Sequence, residues 1–217
     1  RIGPILRVGA FLDVKQSDVM EIQEDGLLSS GEFNGTEDHF LSGAGLQVEI
    51  DTRDSMFFPR DGSFHNLSAG IYRTWLGSDY EYETYKLDLR EYLPLGEKAV
   101  MGLQFQAISV HGEIPFEEYP TLQNMRGIES TRYRDLNSFS LQGEYRFPIS
   151  SRWIGATFVS TGDVLTNAGD WRLLSQKLAG GFGIRYTLNK EEKINFRFDL
   201  GLSEDGGKVY FRLMEAF

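Results

Sequence analysis

Three histidines, at 39, 65 and 111, are the side chains of this 217-residue chain that titrate nearest neutrality, and two of them have acids close by. His39 follows Asp38, and His111 stands just before Glu113. A histidine beside a carboxylate is half of a general-base device, but no Ser/His/Asp set and no metal-ligand spacing accompanies either pair. There are no cysteines, so thiolate nucleophiles, thiolate metal sites and disulfides are excluded. Gly180-Gly-Phe-Gly183 is no phosphate cradle, because no helix follows it, and it reads as a place where a strand bends. No catalytic residue, metal or cofactor is assigned. Arg126 stands before Gly127 within the long 111–137 connection, and on composition alone it reads as an arginine exposed in an outer loop. A glycine permits a sharp turn, and a guanidinium–carboxylate fork can hold a loop in place.

The elements that would position these groups are strands. Apolar and polar residues alternate over ten segments: 5–15, 43–52, 63–73, 82–93, 99–110, 138–147, 153–162, 177–187, 193–202 and 208–217. Each is about 8–11 residues, the length of a tilted membrane strand. Segment 193–202 is the cleanest, with Ile194, Phe196, Phe198, Leu200 and Leu202 against Asn195, Arg197, Asp199 and Gly201. Segment 153–162 is the weakest, with Ile154, Ala156 and Phe158 as its apolar, outward set. No stretch has helical periodicity, and no apolar run is long enough for a membrane helix.

Alternation alone fits a soluble sandwich as well, so the solvent on each face has to be argued separately. The polar faces carry paired charges (Lys86, Asp88 and Arg90; Arg197 and Asp199), which a dry sandwich interior rejects and a water-filled lumen accepts. Connections alternate short (53–62, 94–98, 148–152, 188–192) with long (16–42, 111–137, 163–176), and 74–81 and 203–207 fall on the long side. Outer-membrane barrels put short turns in the periplasm and long loops outside, which places both termini in the periplasm. Tyr145, Phe147, Tyr186 and Phe217 then form a periplasmic aromatic girdle, and Tyr85 and Phe139 an outer one, with Trp75 just beyond. The fold class is therefore an all-β, transmembrane, antiparallel up-and-down barrel forming one domain over 1–217.

The net charge of −10 argues against nucleic acid. Its acids cluster in the loops: Glu21, Glu24, Asp25, Glu32, Glu37 and Asp38; Asp79, Glu81 and Glu83; Glu113, Glu117 and Glu118. These read as solvated loops, with bridging to divalent cations or lipopolysaccharide as the sharper alternative. The chain opens at Arg1 with no initiator Met and no signal-like segment, as a processed chain or the back part of a longer one would.

Several stretches carry a family resemblance. Gly45-Leu-Gln-Val-Glu-Ile-Asp-Thr-Arg-Asp54 with Phe57-Phe-Pro-Arg-Asp-Gly62, and Tyr85-Lys-Leu-Asp-Leu-Arg-Glu-Tyr-Leu-Pro94, resemble strands of the BamA/TamA-type surface-antigen superfamily. Met125-Arg-Gly-Ile128, then Arg132-Tyr-Arg-Asp-Leu-Asn137 and Gly143-Glu-Tyr-Arg-Phe-Pro148, resemble its Val-Arg-Gly-Phe loop and the strand after it, with Ile128 in place of the aromatic. The terminal Lys208-Val-Tyr-Phe-Arg-Leu-Met-Glu-Ala-Phe217 is similar to the signal by which assembly machinery captures such strands, carried by Val209, Phe211, Leu213 and Phe217.

The resemblance implies that the 111–137 loop folds into the lumen, tethered by Arg126, Gly127 and Glu144. Ser160 stands where the family has a lumen-facing aspartate, although it shares parity with Phe158. The family barrel has about sixteen strands against ten here, and the chain is most similar to short members that lack POTRA domains. The implied role is insertion, assembly or translocation of proteins at the bacterial outer membrane. Implied partners are outer-membrane lipid and lipopolysaccharide, client outer-membrane proteins or another barrel subunit. Two alternatives stand beside this: a structural or pore-forming barrel, and a rim hydrolase of the omptin type built on His39 and His111.

Overall fold

The computed structural model describes residues 5–20, 33–130, 132–170, 176–189, 194–213 and 215–217. Ten strands follow one another: β1 (Ile5–Ser17), β2 (His39–Asp51), β3 (Gly62–Tyr72), β4 (Tyr82–Leu95), β5 (Ala99–Gly112), β6 (Asn137–Pro148), β7 (Trp153–Leu165), β8 (Lys177–Asn189), β9 (Ile194–Ser203) and β10 (Gly206–Leu213). Each pairs antiparallel with the next, giving a single up-and-down sheet in chain order. All ten alternating segments are strands, and the short and long connections fall where the alternation leaves them. Among the described residues β1 and β10 do not pair with each other, so the sheet has two free edges.

The sheet is inside-out relative to a water-soluble protein. Leu12 is 80% exposed, Val8 72% and Phe211 65%, whereas Asp199 and Arg185 are 0% exposed. Apolar residues on the outer face have no protein against them, and the polar residues of the same strands are packed inside. Gln104 and Gln106 both donate to Asp88, at 2.8 and 2.9 Å, and Gln142 donates to Gln104 at 2.7 Å. This network satisfies a row of buried amides across three strands. At one end of the sheet Tyr145 stacks on Phe147 and Trp153 lies against Tyr186. Tyr85 marks the other end on the outer face.

Three expectations need correction. The faces of β7 are reversed: Ala156, Phe158 and Ser160 are buried inside, and Val159 is 62% exposed on the outside. The physical reason lies in the lumen, where the Phe158 ring receives a guanidinium 3.5 Å above it. The last strand stops at Leu213, and Phe217 is not at the rim. It is buried inside, its ring 6.4 Å from that of Tyr92. The acids of the 111–137 loop are not simply solvated, because Glu117 and Glu118 turn inward to partners on β1 and β2. The acids at 21, 24, 25 and 32 lie outside the described residues.

Candidate functional site: a loop tethered inside the sheet

The connection between β5 and β6 folds back against the inner face. Its first half is held by charge: Lys15 Nζ donates to both oxygens of Glu118, at 2.8 and 3.0 Å. Glu117 accepts from Ser17 Oγ at 3.0 Å and meets His39 Nε2. His39 is thereby committed to the loop rather than to its neighbour Asp38, which instead accepts Val19 N–H at 2.7 Å. His111 shares a hydrogen bond with Ser109 Oγ at 2.9 Å. The two histidines therefore serve as structural partners, and neither sits with the acid that stands beside it in sequence.

The second half is held by burial, then by ions. Leu122, Met125 and Ile128 pack with Ala179 of β8 as an apolar plug, separate from the buried cluster of Leu41, Tyr72, Tyr82, Val110 and Ile114. Asn124 Nδ2 donates to Ser140 Oγ at 2.8 Å. Arg126 follows, and its Nη1 lies 2.6 Å from Glu144 Oε2 on β6 and 2.7 Å from Asp199 Oδ2 on β9. Glu144 and Asp199 thus meet at one Arg126 nitrogen, from strands that have β7 and β8 between them.

Ser160 is not an acceptor for Arg126; its hydroxyl donates to Ala179 O at 3.5 Å. The second acid at Arg126 is Asp199 of β9, beside Glu144. Arg185 of β8 ties these acids together, with Nη1 2.5 Å from Asp199 Oδ1, Nη2 3.0 Å from Glu144 Oε2 and Nε 3.2 Å from Glu215 Oε2. Arg146 and Arg197 stand beside the same acids, at 3.7 Å from Glu144 Oε1 and 3.3 Å from Asp199 Oδ2.

Gly127 is required where it stands. Its φ is +104°, and a Cβ there would come within 2.9 Å of Leu202 N. Both the left-handed backbone and the close approach exclude other residues. The approach is mutual, since a Cβ on Gly201 would meet Gly127 N at 2.7 Å. Gly127 N–H donates to Tyr210 Oη at 2.8 Å and its carbonyl accepts Ser203 Oγ at 2.7 Å, so the loop tip braces β9 and the edge strand β10.

Beyond the tip, the β9–β10 turn clasps the returning loop. Asp205 accepts Glu129 N–H at 3.0 Å and Arg132 Nη1 at 2.5 Å. Tyr133 Oη donates to Glu204 and Asp205, both at 3.0 Å. The Glu129 amide, with Tyr133 and Arg132, holds the Asp205 carboxyl below the usual carboxylate range. Burial, reinforced by the two acids, pushes the Tyr133 phenol up to about 12.

The sequence missed Asp199 as a partner and Arg185 as the residue that joins the acids. It also missed Glu215, which accepts from Asn195 Nδ2 at 3.1 Å. The signal was present in the register, since Arg185 is the cross-strand partner of Arg197, two residues from Asp199. Of the terminal signal residues, Val209, Phe211 and Leu213 lie exposed on the outer face of β10, and Phe217 is turned inward.

No curated protein matches this chain. Among solved structures, the crystal structure of BamA from Haemophilus ducreyi lacking POTRA domains 1-3 matches with a TM-score of 0.66 at 15% identity, over 97% of this chain and 50% of that one. The chain thus spans about half the length of that relative and shares the fold of its matched half. The family model described as the Omp85 superfamily domain matches residues 11–203, nearly the whole of the described sheet. A ten-stranded meander with an apolar exterior, an ionic interior and a loop drawn into it is a sheet of that family: the chain belongs to the Omp85 superfamily and is a bacterial outer-membrane β-barrel protein.

Proposed function

We propose that this barrel of the outer-membrane assembly type takes part in inserting or translocating proteins at the outer membrane, working at the free edge of β10. The observation that carries the reading is the tether: Arg126 and Gly127 fix the long loop against the inner wall and brace β10 through Tyr210. An edge strand leaves backbone N–H and C=O groups unpaired, which in hydrocarbon costs several kcal/mol per group, so such an edge recruits another strand. The outward residues of that edge, Val209, Phe211 and Leu213, offer the apolar row that an incoming strand in lipid would continue. Phe217 serves in the interior instead, so the assembly signal at this end rests on those three. Membrane embedding with both termini in the periplasm belongs to the same proposal, supported by the exposed apolar exterior and the alternation of loop lengths. Lipid and lipopolysaccharide are the partners of that exterior, and client outer-membrane proteins those of the edge.

The test is a folding assay in lipid vesicles. An unfolded client barrel is added to vesicles that hold the protein, and heat-modifiable folded client is followed with time. Faster client folding than in vesicles carrying an unrelated barrel of similar size is the expected result. Equal rates, or conductance of ions with no effect on clients, would favour the structural or pore-forming alternative.

A further inference from the structure

The ionic network on the inner wall is balanced without the loop. The buried ion pairs of this patch join Arg146, Arg185 and Arg197 to Glu144, Asp199 and Glu215, three charges of each sign, while Arg212, across from Arg197 at the sheet edge, is exposed. Arg126 is a fourth guanidinium added to three carboxylates. Its fit is correspondingly poor for a buried arginine: one nitrogen makes both ion pairs, and Nε and Nη2 are shielded from solvent with no hydrogen-bond partner. Arg146 and Arg197 each have Nε and Nη1 buried without a hydrogen-bond partner as well. Arg197 Nε lies 3.3 Å from Asp199 Oδ2, the very oxygen that Arg126 holds. Arg146 waits 3.7 Å from the other oxygen of Glu144.

We propose that the loop is a releasable latch: when Arg126 leaves the wall, Arg197 and Arg146 move onto its two carboxylates, so the wall stays paired with the loop in or out. A permanent strut would leave two buried acids short of a partner on release, and a buried charge stripped of its partner is strongly unfavourable. Here release removes a surplus cation instead. The docked position is favoured by the Leu122, Met125 and Ile128 plug and by the Asp205 clasp, so the released position is the minor one. Because the tip holds Tyr210, release would also free the inner side of β10. The device is independent of whether the protein acts on clients.

Hydrogen exchange of the full chain in lipid nanodiscs, read by mass spectrometry, tests it. The readout is exchange of the 122–130 amides against those of β6, β8 and β9. Arg126→Gln should speed exchange in the loop at least tenfold and leave the wall strands as protected as before. Arg197→Gln removes the replacement cation, leaving three against three only with the loop docked, and should slow loop exchange several-fold. Arg126→Lys should restore most of the protection. If Arg197→Gln proves too unstable to fold, Arg197→Lys and Arg146→Gln take its place, with the same direction expected. Loop exchange unchanged or faster in these replacements would overturn the latch. So would an Arg126→Gln protein in which β6, β8 and β9 lose protection together with the loop.

Discussion

Phe105 and Gln106 are adjacent on β5 and face opposite ways, which makes them the most economical test of which side meets lipid. Phe105 lies between Leu89 and Leu141 on the outer face, near the middle of its strand. Gln106 points inward and donates to Asp88 at 2.9 Å. An arginine on the lipid side near the bilayer midplane costs about 2–4 kcal/mol. An arginine at 106 would approach a carboxylate already served by Arg90 and Gln104, in an interior built for charge, and should cost less than about 1 kcal/mol. Since about 1.4 kcal/mol is tenfold in an equilibrium constant, the difference of about 1–4 kcal/mol means that Phe105→Arg should lower the folding equilibrium constant by about 5- to 700-fold relative to Gln106→Arg. The assay is reversible urea unfolding in thin-bilayer vesicles, followed by the fluorescence of the three tryptophans, at 75, 153 and 171. Equal costs for the two variants, or a larger cost at Gln106, would refute the assignment of faces and with it the membrane reading.

Glu144→Ala removes a carboxylate that faces Arg126, Arg185 and Arg146, and should cost about 3–5 kcal/mol in the same titration. Arg126→Ala should cost distinctly less, and the double variant less than the sum of the two. Cysteines placed at Asp79 or Asn167 should label from outside intact cells and one at Glu97 should not; the reverse pattern would invert the topology. The Asp205 clasp should respond to pH with a fixed sign. Its folded-state carboxyl lies below the unfolded value near 3.9, so its contribution is full above that value and is lost as pH falls through the lowered one. Protease protection of 129–133 should therefore be flat from pH 8 to about 5 and fall only below about 4, with Asp205→Asn removing it at every pH.

The strands were legible because alternation is imposed by the pleat and each face has one solvent. β7 was the exception. Phe158 and Ser160 share a face, and neither carries the charge that marks an inward row elsewhere. What placed Phe158 inside was a guanidinium delivered by a loop distant in sequence, which no local pattern encodes. The pairing of Arg126 with Glu144 followed from the motif, whereas Asp199 required the cross-strand register that brings β8 and β9 to the loop tip. Phe217 continues the alternation of β10 in sequence and departs from it in space. Glu215 turns to Arg185 and Asn195, and those contacts draw the chain inward before the ladder resumes.

The arginines inside the sheet have a practical consequence for how this protein comes apart. Guanidinium chloride is a solution of the group that Arg126, Arg146, Arg185 and Arg197 present to Glu144, Asp199 and Glu215. As a denaturant it solvates exposed chain, and here it would also compete for those three carboxylates as a mobile copy of their natural partners. For most proteins guanidinium is about twice as potent as urea per mole. In this one the ratio should be larger, and Glu144→Gln, which removes one carboxylate, should bring it back toward the common value. A comparison of two ordinary denaturants thus becomes a chemical probe of the lumen.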